Sequence, residues 1–185
     1  MTGCVFLDRD GTINEAAPVG QYVLTREAFR FLPGVLDALA FLAKNSGRKI
    51  AIVTNQSSIG RGLATRAQVN DLHGWMVGQI ERVGGRVDGV YLCPHAPQDN
   101  CACRKPQPWL LVDAARELGV DLGDSALVGD TEFDLRAGWA AGVPDAYLVT
   151  TGQCRHYPDS WRGQRYSTVA TLREAVERIV ENERR

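Results

Sequence analysis

The sequence has almost no net charge and no long apolar segment. Its 21 Lys and Arg residues nearly cancel its 22 Asp and Glu residues, which leaves a formal charge of -1. A chain without an overall positive field has little attraction for nucleic acid or for an anionic membrane surface, so we expect neither partner. No apolar run is long enough to predict a membrane span, and no basic leader with a cleavage site is evident. We therefore expect a cytoplasmic protein.

The composition also lacks the features of disordered and disulfide-rich chains. Hydrophobic residues make up 44% and charged residues 23% of the sequence, which is typical of a globular protein. Its 185 residues fit one compact domain, and we expect residues 1–185 to form it. The five cysteines are an odd number, which argues against a disulfide framework. No exposed apolar stripe is evident, so we expect a monomer.

Short apolar runs alternate with amphipathic segments along the chain. The predicted strands are Cys4 to Asp8, Ile50 to Thr54, Gly89 to Cys93, Ser125 to Gly129 and Ala146 to Val149, and the predicted helices are Val35 to Ala43, Arg66 to Val83, Trp109 to Leu118, Phe133 to Ala141 and Val169 to Val180. Strands that are apolar on both faces and separated by helices indicate a mainly parallel sheet with helices on both sides. The sequence therefore predicts an α/β fold, a Rossmann-like three-layer α/β/α sandwich.

Acidic residues follow two of the predicted strands. Asp8 and Asp10 come after the first strand, and Asp130 and Asp134 come after the fourth. An Asp-Gly pair after a strand is often only a turn. Ligands of parallel sheets bind beyond the carboxyl ends of the strands, however, and two acidic clusters at that edge repel each other unless a cation lies between them. This pattern predicts a Mg²⁺ site.

Groups that suit a phosphate are expected at the same edge. The second strand is followed by hydroxyl and amide side chains, and a later segment adds fixed positive charge; these residues are Thr54, Asn55, Gln56, Ser57, Arg104 and Lys105. Together with Mg²⁺, they could neutralise and hold phosphoryl oxygens. We therefore predict a phosphate-binding site.

Three of the cysteines lie in one short segment with a histidine. Cys93, His95, Cys101 and Cys103 supply three thiols and one imidazole, which is a complete tetrahedral set for Zn²⁺. With all four positions filled by protein, such a site is closed and structural. The alternative is that Cys93 only packs as a strand residue and the others are incidental thiols. The density of ligands favours a loop from Cys93 to Cys103 that is stapled by zinc, the zinc loop.

Taken together, four motifs resemble those of the haloacid dehalogenase-like phosphatases. They are Asp8-x-Asp10-Gly11-Thr12, Thr54, Lys105 and Gly129-Asp130-x3-Asp134, in the order and at the strand ends of that family. The resemblance implies that Asp8 is the nucleophile and forms an aspartyl-phosphate. It implies that Asp10 is the general acid and base.

The same resemblance implies a ligand set for Mg²⁺. The ion would be held by the Asp8 carboxylate, the Asp10 backbone carbonyl and Asp130, with Asp134 orienting these ligands. Thr54 and Lys105 would stabilise the transferring phosphoryl group. The segments that follow Asp10 and Cys93 are too short for the cap domain that larger members insert, so no large cap is expected.

A closer resemblance is to the D-glycero-D-manno-heptose 1,7-bisphosphate 7-phosphatases. It rests on Cys93-Pro94-His95, Cys101-Ala102-Cys103-Arg104-Lys105-Pro106, and Thr54 to Ser57 with Arg61-Gly62. It implies a small phosphorylated sugar substrate and a heptose 1-phosphate product for nucleotide-activated heptose synthesis. Arg104 would grip the phosphate that is not cleaved. The other substrate-binding candidates are Arg9, Tyr22, Asn55, Gln56 and Ser57.

Two other functions are compatible with parts of this pattern. Histidinol-phosphate phosphatases share the zinc loop and all four motifs. A non-catalytic zinc-stapled binding module would keep the fold alone, but Asp8, Asp10, Lys105 and Asp130 are all present, which argues against it. Departures from the heptose family are a longer segment from Asn14 to Tyr22, Ser58 in place of Gly and Thr131 in place of Lys. These concern sugar specificity more than catalysis.

Four further residues receive no functional assignment from the sequence. His73 lies within a predicted helix, where a lone histidine is more often a core or surface residue than a ligand. His156 lies in a polar segment without partners around it. Cys4 is expected to be a buried strand residue, and Cys154 has no metal-ligand partner nearby other than His156.

Overall fold

The computed structural model describes residues 2–153, 160–161 and 164–184. The strands are β1 (Cys4–Leu7), β2 (Lys49–Asn55), β3 (Gly89–Cys93), β4 (Ala126–Gly129), β5 (Asp145–Val149), β6 (Ser160–Trp161), β7 (Gln164–Arg165) and β8 (Ser167–Val169). The helices are α1 (Val35–Asn45), α2 (Arg66–Arg82), α3 (Trp109–Leu118), α4 (Glu132–Ala141) and α5 (Leu172–Glu183).

Six of the strands form one parallel sheet. Their order is β3-β2-β1-β4-β5-β8, and all five neighbouring pairs run in the same direction. β6 and β7 form a separate antiparallel pair. β1 lies between β2 and β4, so the residues that follow these three strands meet at one edge of the sheet.

The side chains of β1 alternate between the two faces of the sheet, which explains why both faces are covered. Val5 and Leu7 of β1 face a core that contains buried side chains of α1, α2 and α5. Cys4 and Phe6 face the opposite core, which contains side chains of α3 and α4. Successive strand residues point to opposite faces, so a continuous apolar run builds two cores. The predicted α/β/α sandwich is confirmed.

α2 begins with a reciprocal cap that its sequence specifies. The Thr65 hydroxyl accepts a hydrogen bond from the backbone N–H of Gln68 at 3.2 Å, and the Gln68 side chain accepts one from the N–H of Thr65 at 2.8 Å. These bonds satisfy two donors that a helix N-terminus otherwise leaves unpaired. The cap fixes the start of the helix that carries His73.

The last helix begins later than predicted. Val169 belongs to β8 and pairs with Val149 of β5, and α5 starts three residues further on, where the Thr171 side chain accepts a hydrogen bond from the N–H of Glu174. The expectation of a helix from Val169 was therefore wrong. A three-residue strand is too short to show a period of its own, and its apolar end merges with the apolar face of the helix.

The connections after β1 and β3 are short in the described residues. Between β3 and α3 the only regular element is a single 3₁₀ turn at Pro97–Asp99, and the segment between β1 and α1 contains isolated bridges alone. Among the described residues, neither of these two connections forms a large cap over the edge of the sheet. Within the described ranges, no helix has the length and apolar character needed to cross a membrane. Cys154 and His156 lie outside the described residues.

Candidate active site

A buried lysine joins two carboxylates at the edge of the sheet. Lys105 Nζ donates to Asp8 Oδ1 at 2.6 Å, to Asp134 Oδ1 at 2.5 Å and to the Val53 carbonyl at 2.8 Å. All three charged residues are buried. The Asp8 backbone is itself fixed, since its N–H donates to the Val128 carbonyl of the neighbouring strand at 2.9 Å. Lys105 therefore has its three protons committed and a defined position beside Asp8.

Three of the predicted acids converge on one point. Carboxylate oxygens of Asp8, Asp130 and Asp134 lie within 4.8 Å of one another. Burial, followed by the charge of Asp134, raises the pKa of Asp130 from 3.8 to about 6. Burial also raises the pKa of Asp8 well above its ordinary value, against the opposing charge of Lys105. A divalent cation would relieve this repulsion, and hard oxygen ligands fit Mg²⁺.

Asp10 has a different environment from these three acids. Its Oδ1 accepts hydrogen bonds from Arg9 Nη2 at 2.8 Å and Asn14 Nδ2 at 2.9 Å, and its Oδ2 accepts one from Gln56 Nε2 at 3.0 Å. Burial raises the pKa of Asp10, but the Arg9 charge and these three bonds outweigh it and leave the pKa below its ordinary value. The resting side chain is thus a well-oriented carboxylate.

Two residues expected to bind substrate lie beneath the site instead. The Gln56 side chain donates to both Asp10 Oδ2 and Thr54 Oγ1, the latter at 2.9 Å, and only 2% of the residue is exposed. Arg9 is 1% exposed and donates to Asp10 and to the Val23 carbonyl. Both side chains hold catalytic candidates in place, and neither lines the two cavities described below. The position of a residue after a strand does not reveal whether its side chain faces a ligand or holds a neighbouring side chain in place.

The segment that carries Lys105 is held by Asn55. Asn55 Nδ2 donates to the Lys105 carbonyl at 3.2 Å, and Asn55 Oδ1 accepts from the Lys105 N–H at 3.1 Å. This pair of bonds satisfies both polar atoms of the Lys105 backbone from one side chain. Asn55 also lines the cavity described below, so it can both position the loop and meet a ligand.

The cysteine and histidine cluster forms as predicted. Sγ of Cys93 lies 3.1 Å from Sγ of Cys103 and 3.5 Å from Sγ of Cys101, and Nδ1 of His95 lies 3.3 Å from Sγ of Cys103. The four ligand atoms lie within 4.8 Å of one another. Three soft sulfurs and a nitrogen facing one centre fit a closed Zn²⁺ site, which His95 would enter through Nδ1.

The zinc loop packs on the segment that follows β2. The Gln56 N–H donates to the Cys93 carbonyl, and the Gly60 N–H donates to the Pro94 carbonyl, both at 2.8 Å. A Cβ at Gly60 would lie 2.8 Å from the Ala96 nitrogen, so this contact requires a glycine. The zinc loop and the segment that follows β2 are thereby one packed unit.

Two adjoining cavities open at this edge. The first, of about 180 Å³, is lined by Asp8, Asp10, Thr54, Asn55, Lys105, Asp130, Thr131, Phe133, Asp134 and Gln153. The second, of about 580 Å³, lies against the zinc loop and includes Arg104 in its wall. Lys105 and Phe133 line both. The candidate site thus has two compartments, a smaller one lined by the acids and Lys105 and a larger one with Arg104 in its wall.

The other predicted contacts lie at the periphery. The Tyr22 hydroxyl is 3.3 Å from the Ser57 hydroxyl, and neither residue lines the two cavities. Sequence reasoning missed Phe133 and Gln153. The Gln153 N–H donates to Asp130 Oδ2 at 2.6 Å, and an exposed aromatic residue one position before Asp134 was interpreted only as the start of a helix.

Comparisons with known proteins identify the family of this chain. A family model described as HAD-hydrolase-like matches residues 102–175. The D-glycero-beta-D-manno-heptose-1,7-bisphosphate 7-phosphatase of Photorhabdus laumondii is 41% identical over 156 residues, which is 80% of this chain and 81% of that protein. The enzyme of the same name from Escherichia coli K12 is 42% identical, with 80% of each chain covered.

Solved structures of similar enzymes share the fold over nearly the whole chain. The D,D-heptose 1,7-bisphosphate phosphatase of B. bronchiseptica, complexed with magnesium and phosphate, superposes with a TM-score of 0.87 at 35% identity, covering 98% of this chain and 99% of that one. The corresponding enzyme of Burkholderia thailandensis gives a TM-score of 0.69 at 30% identity, with 97% and 99% covered.

Proposed function

The chain belongs to the heptose 1,7-bisphosphate 7-phosphatase family of haloacid dehalogenase-like hydrolases, and from this we propose that it removes the 7-phosphate of D-glycero-D-manno-heptose 1,7-bisphosphate. The relatives named above carry the beta anomer in their names, so we propose the β anomer as substrate. The observation that supports a bisphosphate is the pair of adjoining cavities, because each has a cation, Lys105 in the first and Arg104 in the second. A single phosphate needs only one of them.

In the first half of the reaction, a carboxylate oxygen of Asp8 attacks phosphorus. The bond between phosphorus and the C7 oxygen of the sugar breaks, and Asp10 gives a proton to that oxygen. Because the lowered pKa of Asp10 favours its carboxylate, this proton must be taken up when substrate binds. The products of this half are the sugar 1-phosphate and an acyl phosphate on Asp8.

In the second half, water attacks the same phosphorus. Asp10, now the carboxylate, takes a proton from that water, and the bond from phosphorus to the Asp8 oxygen breaks. Inorganic phosphate leaves, Asp8 is regenerated, and Asp10 releases its proton to solvent and returns to the carboxylate. Throughout, we propose, Lys105 stabilises negative charge on the transferring group, and the Thr54 hydroxyl contacts it. The bond from Gln56 to that hydroxyl supports this role.

Two metal ions are proposed to support this chemistry. Mg²⁺ would be held by Asp8, the Asp10 carbonyl and Asp130, with Asp134 beside them, and when bound it neutralises charge on the phosphoryl oxygens. Zn²⁺ would be held by Cys93, His95, Cys101 and Cys103. Arg104 and Lys105 follow directly on Cys103, so the zinc loop sets the positions of these two basic residues. We also propose that residues 1–185 act as one domain and as a monomer.

Steady-state phosphate release from both anomers of heptose 1,7-bisphosphate and from histidinol phosphate tests the assignment. We expect the highest kcat/KM for the β anomer, with ³¹P NMR showing the remaining phosphate at C1. An Arg104→Met variant should raise KM for the bisphosphate, while Arg116→Met, on the exposed outer side of α3, should not. A higher kcat/KM for histidinol phosphate would contradict the proposed substrate.

A further inference from the structure

A chain of hydrogen bonds runs from α2 to the carboxylate of Asp10. His73 Nε2 lies 3.0 Å from Arg9 Nη1, and Arg9 Nη2 donates to Asp10 Oδ1 at 2.8 Å. His73 is 4% exposed and Arg9 is 1% exposed. Arg9 Nη2 also donates to the Val23 carbonyl at 3.3 Å. A buried side chain on a covering helix is therefore connected to the proposed general acid and base through one intermediate residue.

The chemistry of the pair fixes the form of the histidine. A guanidinium group has only donors, so Nε2 of His73 must accept the hydrogen bond and the ring proton must be on Nδ1. A protonated imidazole would place two cations side by side with no acceptor between them. Burial, followed by the charge of Arg9, lowers the pKa of His73 from 6.5 to about 4, in agreement with a neutral ring.

The orientation of Arg9 matters for Asp10 because the Asp10 carboxylate accepts three hydrogen bonds, and one of them comes from Arg9. Asn14 donates to Oδ1 and Gln56 donates to Oδ2, and Arg9 supplies the charged donor to Oδ1. Without an acceptor at position 73, Arg9 Nη1 would be buried without a hydrogen-bond partner, and a buried unsatisfied donor draws its side chain toward another acceptor. The carboxylate of Asp10 would then lose its charged donor and would be held only by the amides of Asn14 and Gln56.

We propose that His73 is a positioning residue for the phosphatase reaction: by accepting a hydrogen bond from Arg9, it fixes the carboxylate of Asp10 for proton transfer. The inference rests on the proposed role of Asp10. It assigns His73 a functional part in place of the packing role that its lone position in a helix suggested. Small displacements of acid–base groups cost large factors in rate.

Two variants of His73 and one control test the proposal. His73→Leu removes the acceptor, while His73→Gln keeps an amide oxygen near the position of Nε2. Ile80→Ala is the control, because Ile80 is fully buried on the same face of α2, two turns from His73, and its truncation destabilises the core without removing a hydrogen bond to Arg9. All variants are assayed below their unfolding temperatures.

The readout compares two leaving groups. Release of an alkyl phosphate ester needs a proton from Asp10, whereas p-nitrophenolate leaves without one. His73→Leu should lower kcat/KM for the alkyl ester by about tenfold or more, and lower it much less for p-nitrophenyl phosphate. His73→Gln should recover most of the alkyl-ester rate, and Ile80→Ala should leave the ratio of the two values unchanged.

Equal losses for both leaving groups in His73→Leu, or no recovery in His73→Gln, would overturn the proposal. Ring-nitrogen NMR of the unmodified enzyme supplies an independent test, since the proposal requires a pyridine-like Nε2 and a protonated Nδ1 for His73. The opposite tautomer contradicts it even if the variants do not fold. Any alkyl phosphate that the enzyme hydrolyses can serve, so failure of the heptose assignment remains distinguishable.

Discussion

Lys105 Nζ lies 2.6 Å from Oδ1 of Asp8, although 97 positions separate the two residues in the chain. The contact exists because β1 and β2 are neighbours and the zinc loop folds back over the end of β2. It places a fixed positive charge beside the proposed nucleophile, and a second contact, to Asp134, holds that charge from the other side.

Replacing Lys105 with Met should abolish most activity and destabilise the metal-free protein. We expect kcat to fall by about 10²-fold to 10³-fold or more, because the charge on the transferring phosphoryl group loses its fixed partner. Leaving Asp8 and Asp134 buried without a cation should cost about 3 to 5 kcal/mol of unfolding free energy. Phosphate release and urea denaturation in EDTA measure the two effects.

Lys49→Met is the matched control for that variant. Lys49 also forms an ion pair, with Asp88 at 2.9 Å, but its side chain is 46% exposed. Surface pairs contribute about 1 kcal/mol or less, so both rate and stability should change little. A similar effect of the two substitutions would contradict a catalytic role for Lys105.

Magnesium should stabilise the protein more at pH 7.5 than at pH 5. Burial and the charge of Asp134 raise the pKa of Asp130 from 3.8 to about 6. A raised carboxyl pKa means that stability present at low pH is lost as pH rises from about 4 through 6, by about 3 kcal/mol when metal-free. Mg²⁺ binding restores that loss, so the Mg²⁺-induced shift in Tm should grow over the same pH range.

The Asp130→Asn variant tests whether the pH dependence of the Mg²⁺-induced Tm shift comes from Asp130 or from a general effect of salt. The variant has no carboxylate to ionise at this position, so its metal-free Tm should no longer fall as pH rises from about 4 through 6. Its Tm should also respond little to Mg²⁺ at both pH values. Asp113→Asn, on an exposed part of α3, should behave like the unmodified protein. An undiminished Mg²⁺ response in Asp130→Asn would exclude Asp130 as a ligand.

Zinc removal should reduce both stability and turnover. We expect about one tightly held Zn²⁺ per chain by elemental analysis, and its loss in Cys103→Ser. Because Lys105 lies two residues after Cys103 and its backbone bonds to Asn55, a loosened loop should lower kcat as well as Tm. Cys4→Ala, which alters a buried thiol outside the cluster, should retain the metal.

The sequence predicted most of this architecture because the responsible signals are local. Apolar runs indicated five strands of the sheet, and acids after β1 and β4 indicated the carboxylate cluster of Asp8, Asp130 and Asp134. The short β8 was missed since three residues carry no period. The inward direction of Arg9 was missed as well, because a charged residue beside a catalytic motif gives no sign of whether it faces ligand or core. Its partner His73 lies 64 positions away, and only the packing of α2 on the sheet reveals that contact.

Phe133 should contribute to binding of the sugar and little to chemistry. It is 47% exposed and lines both cavities, where an aromatic face can pack against the apolar face of a pyranose. Phe133→Ala should raise KM for the bisphosphate severalfold with kcat and Tm nearly unchanged. Trp109→Ala is the control, since Trp109 is 49% exposed but lines neither cavity. An equal rise in KM for p-nitrophenyl phosphate would argue against a contact with the sugar.

His73 should make the folded enzyme sensitive to mild acid. Burial and the charge of Arg9 lower the pKa of His73 from 6.5 to about 4, so the unfolded chain binds a proton over this range and the folded chain does not. Stability is therefore lost as pH falls from about 6.5 to 4, by up to about 3 kcal/mol. The difference in unfolding free energy between the unmodified enzyme and His73→Gln, both in Mg²⁺, isolates this contribution from that of Asp130. That difference should favour the unmodified enzyme most at neutral pH and shrink toward pH 4, whereas a constant difference would show that His73 binds its proton equally in both states.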